Sequence, residues 1–258
     1  SLVGSEMCIR DRLGAPIAII FDAATFLVAG FLVFTFRQAS PRRASEQSPI
    51  GDLADGWRVF VSYRWIVVVV VAFSFIVMAL RGSEEVLGPV LALDHYGGPA
   101  GWSVVLAAQA IGLLAGAVLA SRIRPRRPMV FCVCVTAVLP AFLLSLALAS
   151  PLWVVAALAF TWGIAMEAFY VVWITAIQQR VPREALSRVM AYDAFGSLVF
   201  GPIGLALAGP LLAAVGMADA LYIATAVCIA AIVGMLMAPS VRGMKALEPE
   251  APTTTTAS

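Results

Sequence analysis

The stretch Leu152-Trp-Val-Val-Ala-Ala-Leu-Ala-Phe-Thr-Trp-Gly-Ile-Ala-Met-Glu-Ala-Phe-Tyr-Val-Val-Trp-Ile-Thr-Ala-Ile177 holds a single charged residue. As a helix rising about 1.5 Å per residue it runs roughly 39 Å, more than the ~30 Å of hydrocarbon in a bilayer. A helix on the surface of a soluble protein carries a polar face, and this one has none. A strand of an outer-membrane barrel alternates over about ten residues, whereas this run is continuous and too long. It reads as a transmembrane helix with one carboxyl group, Glu167, near its middle.

Working outward, six more runs have the same character. They are Ala15–Phe36, Trp65–Leu93, Trp102–Ser121, Pro128–Leu148, Val189–Val215 and Ala218–Ala238. The chain is 62% hydrophobic and 12% charged, against about 45–50% and 25% in soluble domains. One soluble core of this size cannot hide that much apolar surface, so the solvent must be lipid. The expected fold is all-α, a polytopic bundle of about seven transmembrane spans. A net charge of +2 gives no support for a nucleic-acid partner. Cys132, Cys134 and Cys228 lie in apolar runs, where a thiol behaves as a small hydrophobe.

The loops alternate in charge. Arg37, Arg42, Arg43, Arg58 and Arg64 follow the first span, and Arg122, Arg124, Arg126 and Arg127 the third. Arg180, Arg183 and Arg188 follow the fifth, and Arg242 and Lys245 the last; together these are 14 of the 17 basic residues. The opposite loops carry none. By the positive-inside rule the C-terminus is expected in the cytoplasm of a cell-membrane protein.

Five regions follow. Residues 1–12 lack an apolar period, and Met7-Cys-Ile-Arg-Asp-Arg12 resembles a translated sequencing-adapter end, so they read as a non-native leader. Residues 13–36 form a single transmembrane helix. Residues 37–64 form a cytoplasmic linker, whose Leu53, Trp57, Phe60 and Val61 recur at near-helical spacing and suggest an amphipathic helix. Residues 65–238 form a six-helix transmembrane domain, and residues 239–258, ending in a Pro-, Thr- and Ala-rich run, a disordered cytoplasmic tail.

Polar groups at membrane depth are costly and are candidates for function. Glu167 is the clearest, as a proton-coupling or cation-binding carboxyl; the alternative is a hydrogen-bonded structural carboxyl between helices. Arg81, Glu84 and Glu85 interrupt the second span beside Gly82, Gly88 and Pro89. Arg81 and Glu85 are one turn apart and can pair; an outer loop here would leave Val86–Leu93 too short to cross and upset the loop polarity, which favours one long bent helix. Asp22 and Gln109 are further cavity candidates. Arg122, Arg124, Arg126 and Arg127 serve as a topology anchor and are candidates for a cytoplasmic gate with Asp193, which opens the sixth span on the same side. Gly112 and Gly116 form a G-x-x-x-G that lets two helices approach closely. Gly and Pro crowd the sixth span, suggesting a bent, tightly packed helix. Nothing points to a catalytic residue, a metal or a cofactor: there is one histidine and no HExxH or nucleophile constellation.

Gly116-Ala-Val-Leu-Ala-Ser-Arg-Ile-Arg-Pro-Arg-Arg-Pro128 is similar to the cytoplasmic G-x-L-A-D-R-x-G-R-R element of the major facilitator superfamily. Val181-Pro-Arg-Glu-Ala-Leu-Ser-Arg-Val-Met-Ala-Tyr-Asp193 resembles the lead-in to its penultimate helix, and the basic linker 37–64 resembles the one joining its two six-helix halves. Ser121 stands where that element usually has aspartate. The resemblance, to the bacterial exporter-like branch, covers about Leu13 to Arg242. It implies a C-terminal half preceded by the last helix of an N-terminal half whose other five helices are missing. It further implies a small-molecule substrate bound at the midplane between halves. The expected function is proton-coupled export of small amphipathic molecules by alternating access, not enzymatic catalysis. The alternatives are a non-catalytic membrane subunit and a seven-helix receptor-like protein. A retinal protein is excluded because it needs a buried lysine, and the only lysine is Lys245, in the tail.

Overall fold

A computed structural model describes residues 20, 23–35 and 49–245. Two compact units, Ser1–Ser48 and Pro49–Ser258, divide the chain. The first contributes one described helix, α1 (Ala23–Thr35), apolar and 13 residues long. The remainder of the first expected span, with Asp22, lies outside the described residues, as do the leader and most of the tail.

In the second unit, α2 (Pro49–Ser62) is the helix expected in the linker. Six spans follow. The first comprises α3 (Arg64–Gly82), a π-helical turn (Ser83–Leu87) and α4 (Gly88–His95). After it come α5 (Pro99–Ala120), the pair α6 (Pro128–Thr136) and α7 (Val138–Ala147), α8 (Leu152–Arg180), α9 (Arg183–Val215) and α10 (Met217–Met237), then the short α11 (Pro239–Arg242). The described residues contain helices and turns and no strand, so the chain is an all-α, multi-pass membrane protein.

Two interruptions trace to proline. Pro89 has no N–H for the carbonyl four residues back, and its ring would press on that of Glu85. The helix widens there instead, with the Gly88 N–H reaching the Ser83 carbonyl five residues back; π turns of this kind are often found at functional sites. The span therefore runs from Arg64 to His95 as one interrupted helix, the arrangement the sequence favoured. Likewise, Pro140 withdraws the donor from Thr136, and the helix breaks at Ala137 between α6 and α7.

Helix contacts follow the small residues. Gly112 of α5 faces the Phe160 carbonyl of α8, and a Cβ at Gly116 would lie 2.8 Å from the Ile164 carbonyl. Gly163 of α8 answers by facing the Gln109 carbonyl of α5. The G-x-x-x-G thus finds its partner in α8. On the other side of the bundle, Gly204 of α9 lies against the Met78 backbone of α3. Pro202 and Pro210 fall within α9, which nonetheless continues as one helix. The apolar core joins these elements through fully buried Ile66, Ile76, Leu139, Phe142, Trp162, Ile177 and Leu221. Outward faces are equally apolar, with Leu114 at 72% exposure and Leu198 at 73%, as expected where lipid is the solvent. Cys132 and Cys228 are buried, but Cys134 faces outward, so only the first two pack as core hydrophobes.

Candidate functional site

Between α3, α5, α8 and α9 lies a cavity of about 510 Å³. Its wall includes Arg81, Glu84, Gln109, Glu167 and Asp193, five polar residues singled out from sequence, contributed by four different spans.

The π turn places the first two. Arg81 pairs with Glu85 one turn on, both side chains being largely exposed. Glu84 projects differently from its neighbour and accepts a hydrogen bond from Gln109 Nε2 at 2.9 Å. Gln109 is held at that range because its own backbone carbonyl abuts Gly163, where no side chain separates α5 from α8. On the same helix pair, Gly116 admits Glu167, whose Cβ would be 2.9 Å from a Cβ at Gly116. Glu167 is half-buried and, among the described residues, its carboxylate has no hydrogen-bond or ion-pair partner. Asp193 of α9 accepts from Trp173 Nε1 of α8, at 3.2 and 3.3 Å to its two oxygens.

Aromatic rings build the rest of the wall. Phe73 stacks on Phe169 with centroids 4.6 Å apart and planes 6° apart. Phe169 in turn stacks on Trp173 at 6.2 Å, and Trp65 meets Trp173 edge-on at 5.5 Å. Buried Trp162 and exposed Tyr170 also line the space, and the Trp162 Nε1 donor is buried without a partner among the described residues. Such a surface suits a ligand with an apolar, flat body and a polar or charged group.

The proposed gate is not assembled. Arg122, Arg124, Arg126 and Arg127 are exposed in the α5–α6 loop and lie outside the cavity wall. Among the described residues none of the four forms an ion pair with Asp193, whose carboxylate is turned inward to Trp173. The sequence could not show that Asp193 would find an indole donor on the neighbouring helix. Phe73 and Met166 were missed, as were the aliphatic wall residues Val69, Val70, Val77, Leu80 and Leu113. Met166 belongs to the stripe Trp162, Met166, Phe169 and Trp173, whose spacing of three to four was the available signal. Among the described residues no group of three or more His, Cys, Asp or Glu side chains is placed to hold a metal. His95 is exposed beside Tyr96 at the end of α4.

Searches of curated proteins and of solved structures returned no match. The sequence model of the Major Facilitator Superfamily, by contrast, matches residues 83–257, from the π turn through the last span and more than half of the chain. With six membrane spans in place and a polar cavity between them, this chain belongs to the Major Facilitator Superfamily of membrane transporters.

Proposed function

We propose that the cavity is one wall of the substrate pathway of a proton-coupled exporter of small amphipathic molecules, of the bacterial exporter-like branch. The observation that carries this reading is the convergence of Glu84, Gln109, Glu167 and Asp193 from four spans on a single aromatic-lined space. Carboxyl groups at membrane depth are expensive to keep, and aromatic faces hold flat apolar bodies and cations. Glu167 is the group assigned to proton coupling, because it is the carboxyl in the wall with no protein partner among the described residues. Glu84 and Gln109 contact the substrate's polar group, and Arg81–Glu85 marks the outer side of the pathway. Asp22 is retained as a further candidate. The four arginines of the α5–α6 loop and Asp193 are retained as a cytoplasmic gate that forms in another state of the cycle.

The superfamily's midplane site lies between two halves, and on this reading the facing wall is supplied by an N-terminal half of the transporter. The cytoplasm receives the C-terminus, and the protein resides in the cell membrane, on the strength of the loop arginines. No catalytic residue and no cofactor are invoked. The test uses the full transporter in cells loaded with ethidium as an amphipathic aromatic probe. Glu167→Gln abolishes pH-gradient-driven efflux while expression persists; undiminished efflux removes Glu167 from the mechanism.

A further inference from the structure

The linker helix α2 carries two distinct apolar faces. Its sequence marks Trp57, Phe60 and Val61 as one apolar set, and the fold divides them. Gly56 and Phe60, one turn apart, are buried against the start of α9. A Cβ at Gly56 would lie 3.3 Å from the Tyr192 ring and 3.5 Å from Cβ of Arg188. Phe60 is 4% exposed and meets the Tyr192 ring with centroids 5.4 Å apart. Trp57 and Val61, also one turn apart, share a different face and are 53% and 43% exposed. The Trp57 ring touches Tyr192 edge-on at 5.5 Å and leaves the rest of its surface uncovered.

The place of α2 in the bundle identifies what covers that outer face. Only Tyr63 separates α2 from the interrupted span, so α2 is tethered where a membrane helix begins. Val199 is the midpoint of α9 (Arg183–Val215). Tyr192 and Arg188 lie roughly 10 and 16 Å before it along the axis. The hydrocarbon ends about 15 Å from the midplane, so α2 crosses α9 at that edge. Tyr192 and Asp193 are successive residues, about 100° apart around the helix. Asp193 faces the polar cavity, so α2 is seated on a different side of α9 from that cavity. One turn further along α9 from Tyr192, Phe195 is 60% exposed, followed by Leu198 at 73%, and these are surfaces for lipid. An indole, with an apolar body and one N–H donor, suits the boundary between headgroups and acyl chains.

We propose that α2 is an interfacial helix with two partners. Gly56 and Phe60 hold it to α9, while Trp57 and Val61 enter the phospholipid leaflet at the end of the bundle that carries the loop arginines. Because Tyr192 directly precedes Asp193, the helix so placed grips the turn of α9 that carries a carboxylate of the polar cavity. The inference is independent of what the cavity transports.

The test puts a nitroxide at Val61→Cys on the whole chain, in a cysteine-free background and in phosphatidylcholine–phosphatidylglycerol vesicles. Collisions with oxygen, which partitions into lipid, are compared with collisions with a water-soluble nickel chelate. Arg124→Cys, in the exposed α5–α6 loop, supplies the aqueous reference. The ratio of oxygen to nickel collisions at Val61 is expected to be at least about threefold higher than at Arg124, as for a side chain sunk about 5–10 Å into the headgroup and acyl boundary. A ratio below that would overturn the proposal by placing the outer face in water. Exclusion of both reagents would also overturn it, since protein rather than lipid would then cover the face. A nitroxide at Trp57→Cys carries the same expectation and decides the matter if the first variant fails to fold.

Discussion

Replacing Gly163 by alanine tests the contact on which the polar cavity depends. A Cβ there would lie 2.9 Å from the Leu113 nitrogen and 3.1 Å from the Gly112 carbonyl carbon, and closer still to the Gln109 carbonyl oxygen. Comfortable carbon contacts begin near 3.5 Å, so α5 and α8 must part by roughly half an ångström or more. Overpacking of this kind costs about 1–3 kcal/mol. Alanine also gains up to about 1 kcal/mol of helix propensity over glycine, so the variant needs a control with the same gain and no clash. Gly234 of α10 supplies it, since a Cβ there meets nothing within 4 Å. In mixed-micelle unfolding, Gly163→Ala is expected to fall about 1–3 kcal/mol below Gly234→Ala, a 5- to 150-fold difference in the unfolding equilibrium. Because Gln109 is carried on the displaced segment, its hydrogen bond to Glu84 should loosen as well. Equal stability of the two variants would refute the close approach of α5 and α8.

Two further perturbations probe the wall itself. Gln109→Leu leaves Glu84 half-buried without its donor and should cost about 1–3 kcal/mol; pairing it with Glu84→Leu should recover part of that loss in a double-mutant cycle, whereas strict additivity would contradict the contact. Trp173→Phe keeps the ring against Phe169 but removes the donor to Asp193, and is expected to lower thermal stability in detergent by a similar amount, about 1–3 kcal/mol; an unchanged midpoint would mean that the indole N–H contributes nothing.

What the sequence makes legible here follows from the solvent. Length and apolarity alone delimit the spans, because a helix in lipid must satisfy its own backbone and expose carbon. Pro89 and the charges at 81, 84 and 85 mark the interrupted span, and Gly112 and Gly116 mark a close helix contact. The partner of that contact is another matter. Inward and outward faces are both apolar, so periodicity does not say which side of α5 meets α8. Polar residues break that degeneracy, which is why Glu167 and Gln109 could be assigned to a cavity while Phe73 could not. The Trp173–Asp193 bond joins side chains 20 positions apart on different helices, and no local pattern announces it.

The central claim is that these helices sit in a bilayer around a water-accessible cavity, and thiol accessibility measures it directly. In a cysteine-free background, Met166→Cys places a thiol in the cavity wall and Leu114→Cys places one on a face 72% exposed in the isolated chain. A membrane-impermeant maleimide reacts with thiolate reached from water, so in reconstituted membranes Met166→Cys is expected to label at least ten times faster than Leu114→Cys, because lipid covers the latter. Rapid labelling of Leu114→Cys with Met166→Cys inert would contradict the account.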